Sequence, residues 1–101
     1  MARLQKIVEG HLDDAGFGST QLCEAMGMSR SHLHLKIKAL TNRSTSIFIR
    51  TIRLHKAKEL LQKGELNVTQ VAFEVGFNDL SYFSKKFTEE FGVNPQKVVP
   101  S

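Results

Sequence analysis

Apolar residues recur every three or four positions along most of the chain, which is the spacing of a helix with one buried face. Leu4, Ile7, Val8 and Leu12 follow this spacing and predict a first helix over residues 3–13. The alternation of apolar and polar residues that is typical of strands is absent from the sequence. The pattern therefore predicts an all-α protein of about seven helices.

The later helices are separated by glycines and by residues that favour helix starts. Ser19, Ser29 and Asn67 are predicted N-caps, because their side chains can accept a hydrogen bond from a free backbone N–H. Gly27 and Gly64 are predicted helix ends, because glycine readily adopts the left-handed conformation found there. The predicted spans are 19–27, 29–40 with an apolar stripe of Leu33, Ile37 and Leu40, 44–63, 67–76, 78–92 and a final turn that begins at Asn94 and Pro95.

The sequence of a short predicted helix and its glycine in the first half of the chain is repeated in the second half. "TQLCEAMGM" at 20–28 matches "TQVAFEVGF" at 69–77, with Gly27 answering Gly76 and the small Cys23 answering Ala72. Each copy is followed by a longer amphipathic basic helix, which is the layout of a helix-turn-helix motif. An ordinary helical hairpin with no partner is the alternative for one copy, but two copies in one chain favour the motif.

The predicted helix over residues 44–63 lies between the two copies and has apolar positions on more than one side. A helix of this length is roughly 30 Å long. One turn of B-DNA spans about 34 Å, the distance that dimeric helix-turn-helix proteins bridge with two half-sites. A rigid rod of that length could hold two reading helices in successive major grooves, so that a single chain acts as its own pseudo-dimer.

Charge is distributed unevenly along the chain. The 14 basic and 10 acidic residues give a net charge of +4, and no acidic residue lies between Ala25 and Lys58. A solvated helix face normally mixes both signs, so this basic middle third favours a surface that faces a polyanion. Its members are Arg30, Lys36, Lys38, Arg43, Arg50, Arg53, Lys56 and Lys58.

Other kinds of chemistry find little support in the residues. His32 and His34 are two positions apart and point to different helix faces, so no metal site is expected. No catalytic constellation or phosphate-binding glycine loop is present, and neither an enzyme nor a cofactor is predicted. The single Cys23 fits a reducing compartment, and no membrane span or signal peptide is visible, which predicts a cytoplasmic protein.

Three stretches of the sequence resemble the DNA-binding domain of the AraC/XylS family of bacterial transcription regulators. They are "MGMSRSHLHLKIKALT", "IRTIRLHKAKELL" and "VAFEVGFNDLSYFSKKFTEEFGVNP". These stretches are especially similar to output domains of hybrid two-component regulators of the Bacteroides type. The resemblance implies one domain over residues 1–101, with a subdomain over about 3–43, a linker helix over about 44–63 and a second subdomain over about 67–99.

In that family the third and sixth helices read double-stranded DNA, and the resemblance carries this role to particular positions. The base-facing positions are Ser31, His34, Leu35 and Lys38 in the third helix and Leu80, Ser81, Ser84 and Lys85 in the sixth. Basic side chains near these helices are the predicted phosphate contacts: Arg30, Lys38, Arg43 and Lys86. Leu35 falls where many relatives carry arginine, and Val98 and Val99 replace an aromatic residue and an arginine.

We therefore expect sequence-specific binding to double-stranded DNA in transcription regulation, with RNA polymerase as a further partner. A small helical adaptor that binds another protein is the alternative. We also expect this chain to be a monomeric output domain excised from a longer regulator.

Overall fold

The computed structural model describes residues 2–100, and over that range the protein is all-helical. The helices are α1 (Ala2–Glu9), α2 (Ser19–Met26), α3 (Arg30–Thr41), α4 (Thr45–Lys63), α5 (Val68–Glu74), α6 (Leu80–Phe91) and α7 (Pro95–Val98). This confirms the predicted all-α class with two helix-turn-helix units and a long central helix. The molecule is elongated, with principal extents of 44 × 23 × 23 Å.

The long helix α4 is shared by two separate hydrophobic cores. Its first half packs with α1, α2 and α3, which we call the first subdomain, and its second half packs with α5, α6 and α7, the second subdomain. On α4 the first core reaches Ile52 and the second begins at Leu54. The boundary between the cores therefore falls at Arg53.

The second core is built on aromatic rings. Phe83 and Phe87 on α6 are completely buried, with ring centroids 5.7 Å apart. Phe77, in the turn before α6, lies 5.1 Å from Phe83. Phe91 extends this row of tilted rings, with its centroid 4.6 Å from that of Phe87. The spacing of four residues that predicted this helix thus places successive rings on the face that contacts α4 and α5.

Most predicted helix ends have the expected chemistry. The Ser29 hydroxyl accepts a hydrogen bond from the His32 N–H, and the Asn67 side chain accepts one from the Gln70 N–H. Gly27 and Gly64 are left-handed, with φ of 67° and 74°. These short-range rules succeed because each cap is satisfied within a few residues of itself.

Four local predictions were wrong. The first helix ends at Glu9, and Leu12 reaches the first core from a turn instead. The N-cap of α2 is Gly18 and not Ser19, and the fifth helix ends at Glu74, before its glycine. Leu40 is 53% exposed, because it lies in the last turn of α3, beyond Ile37, where the first core ends.

Candidate nucleic-acid interface

Helix α3 presents a buried stripe to the first core and an opposite stripe to solvent. Leu33 and Ile37 are completely buried. The side chains predicted to face bases are all exposed: Ser31, His34, Leu35 and Lys38. Leu35 is 67% exposed, so its apolar side chain is accessible on this face.

Helix α6 repeats this arrangement in the second subdomain. Phe83 and Phe87 face the core, while Ser81 and Lys85 are exposed on the opposite side. Leu80 is also exposed at 39%, but Ser84 is only partly exposed. Of the residues predicted to face bases on α6, Ser84 is thus the least accessible.

The first turns of α3 and α6 open onto one side of α4. A hollow of about 340 Å³ contains Ser31 and His34 of α3, and a second hollow of about 290 Å³ reaches Tyr82 of α6. Both hollows include Ser19 and Ser46, whose hydroxyl oxygens are 3.5 Å apart. The two hollows therefore adjoin and form one surface, which we call the reading face.

The predicted phosphate contacts differ in how free their side chains are. Arg30 is exposed and lies on the reading face. Arg43 donates to the Thr51 hydroxyl at 2.6 Å and pairs with Glu90 at 3.4 Å. The Lys86 ammonium lies 3.2 Å from the Glu89 carboxylate. Arg43 and Lys86 would have to exchange these partners for phosphate, which partly exposed ion pairs permit at low cost.

Two residues on the reading face were missed by the sequence reasoning. Arg50 lies in the hollow between the subdomains, where its guanidinium donates to the Tyr82 hydroxyl at 3.2 Å. Tyr82 is 43% exposed and stands next to Ser81 on α6. A signal existed for Arg50, since it belongs to the stretch without acidic residues, but helical periodicity alone gave no reason to single it out.

Arg53 corrects the interpretation of the basic middle third as wholly a polyanion-facing surface. Its side chain is buried at 6% exposure between the two subdomains. Burial lowers the pKa of this guanidinium below its usual value, while the Asp14 and Asp13 carboxylates act in the opposite direction. The ordinary pKa of arginine is so far above neutrality that the side chain stays charged.

Two other kinds of feature are absent from residues 2–100. Histidine, cysteine and acidic residues do not gather there in groups of three that could hold a metal ion. None of the described helices is long and apolar enough to cross a membrane.

These features define a double helix-turn-helix domain, and comparison with known proteins specifies its family. A family model for a helix-turn-helix domain matches residues 22–99. The chain belongs to the AraC-type helix-turn-helix family of DNA-binding domains of transcription regulators. The resemblance seen in the sequence is thereby confirmed.

Two curated relatives have longer chains. "Histidine kinase P4" of Formosa agariphila is 38% identical over 92 residues, which cover 91% of this chain and 7% of the relative. The HTH-type transcriptional activator RhaS of Escherichia fergusonii is 31% identical over 100 residues, covering 96% of this chain and 36% of RhaS. The chain thus spans only a small part of each relative.

Solved structures show the same fold. The C-terminal domain of the two-component response regulator yesN from Fusobacterium nucleatum superimposes with a TM-score of 0.84 at 28% identity, covering 98% of this chain and 96% of that one. The DNA-binding domain of AdpA, in complex with a target DNA, gives a TM-score of 0.82 at 24% identity, covering 93% and 84%. At that identity, the AdpA comparison supports the fold alone.

Proposed function

We propose that the protein binds a specific double-stranded DNA site as a monomer, with α3 and α6 in successive major grooves. The observation that carries this proposal is the reading face, where residues of both helices line adjoining hollows on the same side of α4. The 19 residues of α4 give a continuous rod, about 28 Å long at 1.5 Å per residue. That length is within about 6 Å of the roughly 34 Å that separates successive major grooves on one side of B-DNA.

Base contacts are assigned to the exposed polar residues of the two helices. His34 can donate or accept at a base edge, and Lys85 can donate to guanine N7 and O6. Ser81 is a less discriminating hydrogen-bonding group. Leu35 supplies an apolar contact for a thymine methyl group in place of a charged donor. The two helices therefore present different chemistry and suit an asymmetric DNA site.

Phosphate contacts are assigned to Arg30, Lys38, Arg43 and Lys86, and Arg50 is added to them. Arg50 lies between the two reading helices, where the DNA backbone would pass from one major groove to the next. Its bond to the Tyr82 hydroxyl holds the guanidinium towards that path.

For the whole protein we propose an output domain of a two-component regulator that acts on transcription in the cytoplasm. The similarity to part of a histidine kinase and to the C-terminal domain of a response regulator supports this role. RNA polymerase is proposed as the partner through which bound protein changes transcription.

Binding to a duplex is expected to weaken steeply as salt rises. If five side chains each neutralise one phosphate, the slope of log K against log[salt] is about −4.5, and affinity falls about 500-fold from about 50 to 200 mM salt. Fluorescence anisotropy with a duplex selected from a random pool measures this slope. No duplex binding, or binding indifferent to salt, contradicts the proposal and favours the adaptor.

Substitutions in the two reading helices are expected to affect different halves of the site. His34→Ala should weaken the discrimination between bases about 10-fold in one half of the DNA site. Ser81→Ala should do so in the other half, about one helical turn of DNA away. His32→Ala is the matched control, because His32 is exposed on the same helix but points to another side. Selection of bound sequences from a random pool locates each effect. If His34→Ala and Ser81→Ala disturb the same base pairs, the two-groove arrangement is wrong.

A further inference from the structure

The buried guanidinium of Arg53 joins the two subdomains. Its Nη1 donates to the carbonyl oxygens of Leu12 and Val75, at 2.5 and 2.7 Å. Its Nη2 donates to the carbonyl oxygens of Asp14 and Phe17, at 2.8 and 3.0 Å. All four Nη hydrogens are therefore used, three of them on the loop before α2 and one on the end of α5.

The position of Arg53 on α4 determines which parts of the fold its hydrogen bonds connect. The extensive helix–helix packing in residues 2–100 lies within one subdomain or against α4, and not directly between the subdomains. Arg53 stands on α4 where one core ends and the other begins. The single atom Nη1 bonds to a carbonyl group in each subdomain. A rotation of one subdomain against the other would therefore stretch a charge-assisted hydrogen bond.

The other polar links across the boundary are more exposed and therefore weaker. The Arg43–Glu90 ion pair joins the loop before α4 to α6, but the Arg43 side chain is 41% exposed. The Arg50–Tyr82 bond also lies at the surface. Solvent and salt screen both links, whereas the Arg53 bonds are shielded from water.

We infer that Arg53 is the positioning residue that fixes the spacing and rotation between α3 and α6, and thereby the separation of half-sites that the protein accepts. This inference rests on the proposed function, since it presupposes that both helices read the same duplex. Arg53 also lines a hollow of the reading face, but it is only 6% exposed and its guanidinium is bonded to four carbonyl groups, so this arrangement leaves it no DNA contact. It acts by holding α6 in register with α3, which makes binding depend on an exact number of intervening base pairs.

The test is the loss of affinity when one base pair is inserted between the half-sites. One base pair moves the second half-site by about 3.4 Å and turns it by about 34°. A rigid wild-type protein then loses the base contacts of one helix, and we expect about a 100-fold loss of affinity. Arg53→Lys keeps the positive charge but cannot bond to four carbonyl groups at once. For this variant, the inserted base pair should therefore lower the affinity only about 10-fold.

A control variant must show that a loss of stability alone does not reduce the affinity penalty of the inserted base pair. Leu61→Ala is the matched control, because Leu61 is completely buried on α4 in the second core but bonds to no part of the boundary. This variant should unfold more easily and still keep the 100-fold penalty of the wild type. A wild-type penalty in Arg53→Lys, or an equally reduced penalty in Leu61→Ala, overturns the inference.

A measurement without DNA keeps the inference falsifiable even if Arg53→Lys fails to fold. Residual dipolar couplings of the free wild-type protein should fit one alignment tensor for both subdomains, and a need for two tensors overturns the inference. Failure of the proposed function has a different signature. A wild-type protein that binds DNA with no penalty for the inserted base pair contradicts the two-groove arrangement itself.

Discussion

Replacing Phe83 with alanine is expected to lower the free energy of unfolding by about 4 kcal/mol, which is typical of large-to-small substitutions of a buried phenylalanine. Phe83 is completely buried and contacts the rings of Phe77 and Phe87. Its removal leaves a cavity at the centre of the second core that α5 and α6 cannot fill without moving. Small domains are stable by only about 5–15 kcal/mol, so the loss is a large fraction of the total.

Phe73→Ala is the matched control for this prediction. Phe73 is 53% exposed on α5 and lies outside the buried core, so its loss should change stability by less than about 1 kcal/mol. Urea denaturation followed by circular dichroism measures both variants. We expect a single transition, because α4 belongs to both cores and couples them. Equal losses for the two variants would contradict the described packing.

Replacing Gly76 with alanine is the second substitution with a large expected effect. Gly76 has a φ of 92°, where side chains other than hydrogen are strained by about 1–2 kcal/mol. A Cβ here would also overlap the Arg53 guanidinium and the Leu12 carbonyl oxygen. Forcing atoms into such a packed place costs about 1–3 kcal/mol, so we expect a total loss of about 3 kcal/mol.

Gly92→Ala separates the two causes. Gly92 is also left-handed, with a φ of 74°, but a Cβ there would meet no atom within 4 Å. This variant should lose only the backbone contribution, about 1 kcal/mol. Thermal unfolding of the two variants side by side gives the comparison. Similar losses at both positions would show that the close approach of Arg53 to Gly76 adds nothing.

The repeat and the glycines were readable from the sequence because their physical causes are local. Gly27 and Gly64 end helices through their own backbone freedom, and Ser29 and Asn67 cap helices within three residues. The four-residue spacing of Phe83 and Phe87 likewise placed both rings on the buried face of α6. Such features need no knowledge of the rest of the fold.

The burial of individual residues depended on distant parts of the chain. Leu40 continues the apolar stripe of α3, yet it is exposed because the first core does not extend to the end of that helix. Ser84 is only partly exposed although it shares α6 with Ser81 and Lys85. Periodicity specifies which residues share a face, but only the packed neighbours specify how far the core extends along it.

Arg53 is the clearest case of a residue whose burial depends on distant parts of the chain. In the sequence it is one basic residue in a stretch that contains no acid, and nothing local distinguishes it from Arg50. In the fold its partners are backbone carbonyls of residues 22 to 41 positions away in the chain, and backbone groups carry no sequence signature. The local patterns of the sequence therefore specify the duplicated helical scaffold and which residues share a face of each helix. The way in which the two copies are held against each other across the boundary follows from the fold, because the buried bonds there join the Arg53 guanidinium to carbonyl groups that are distant in the chain.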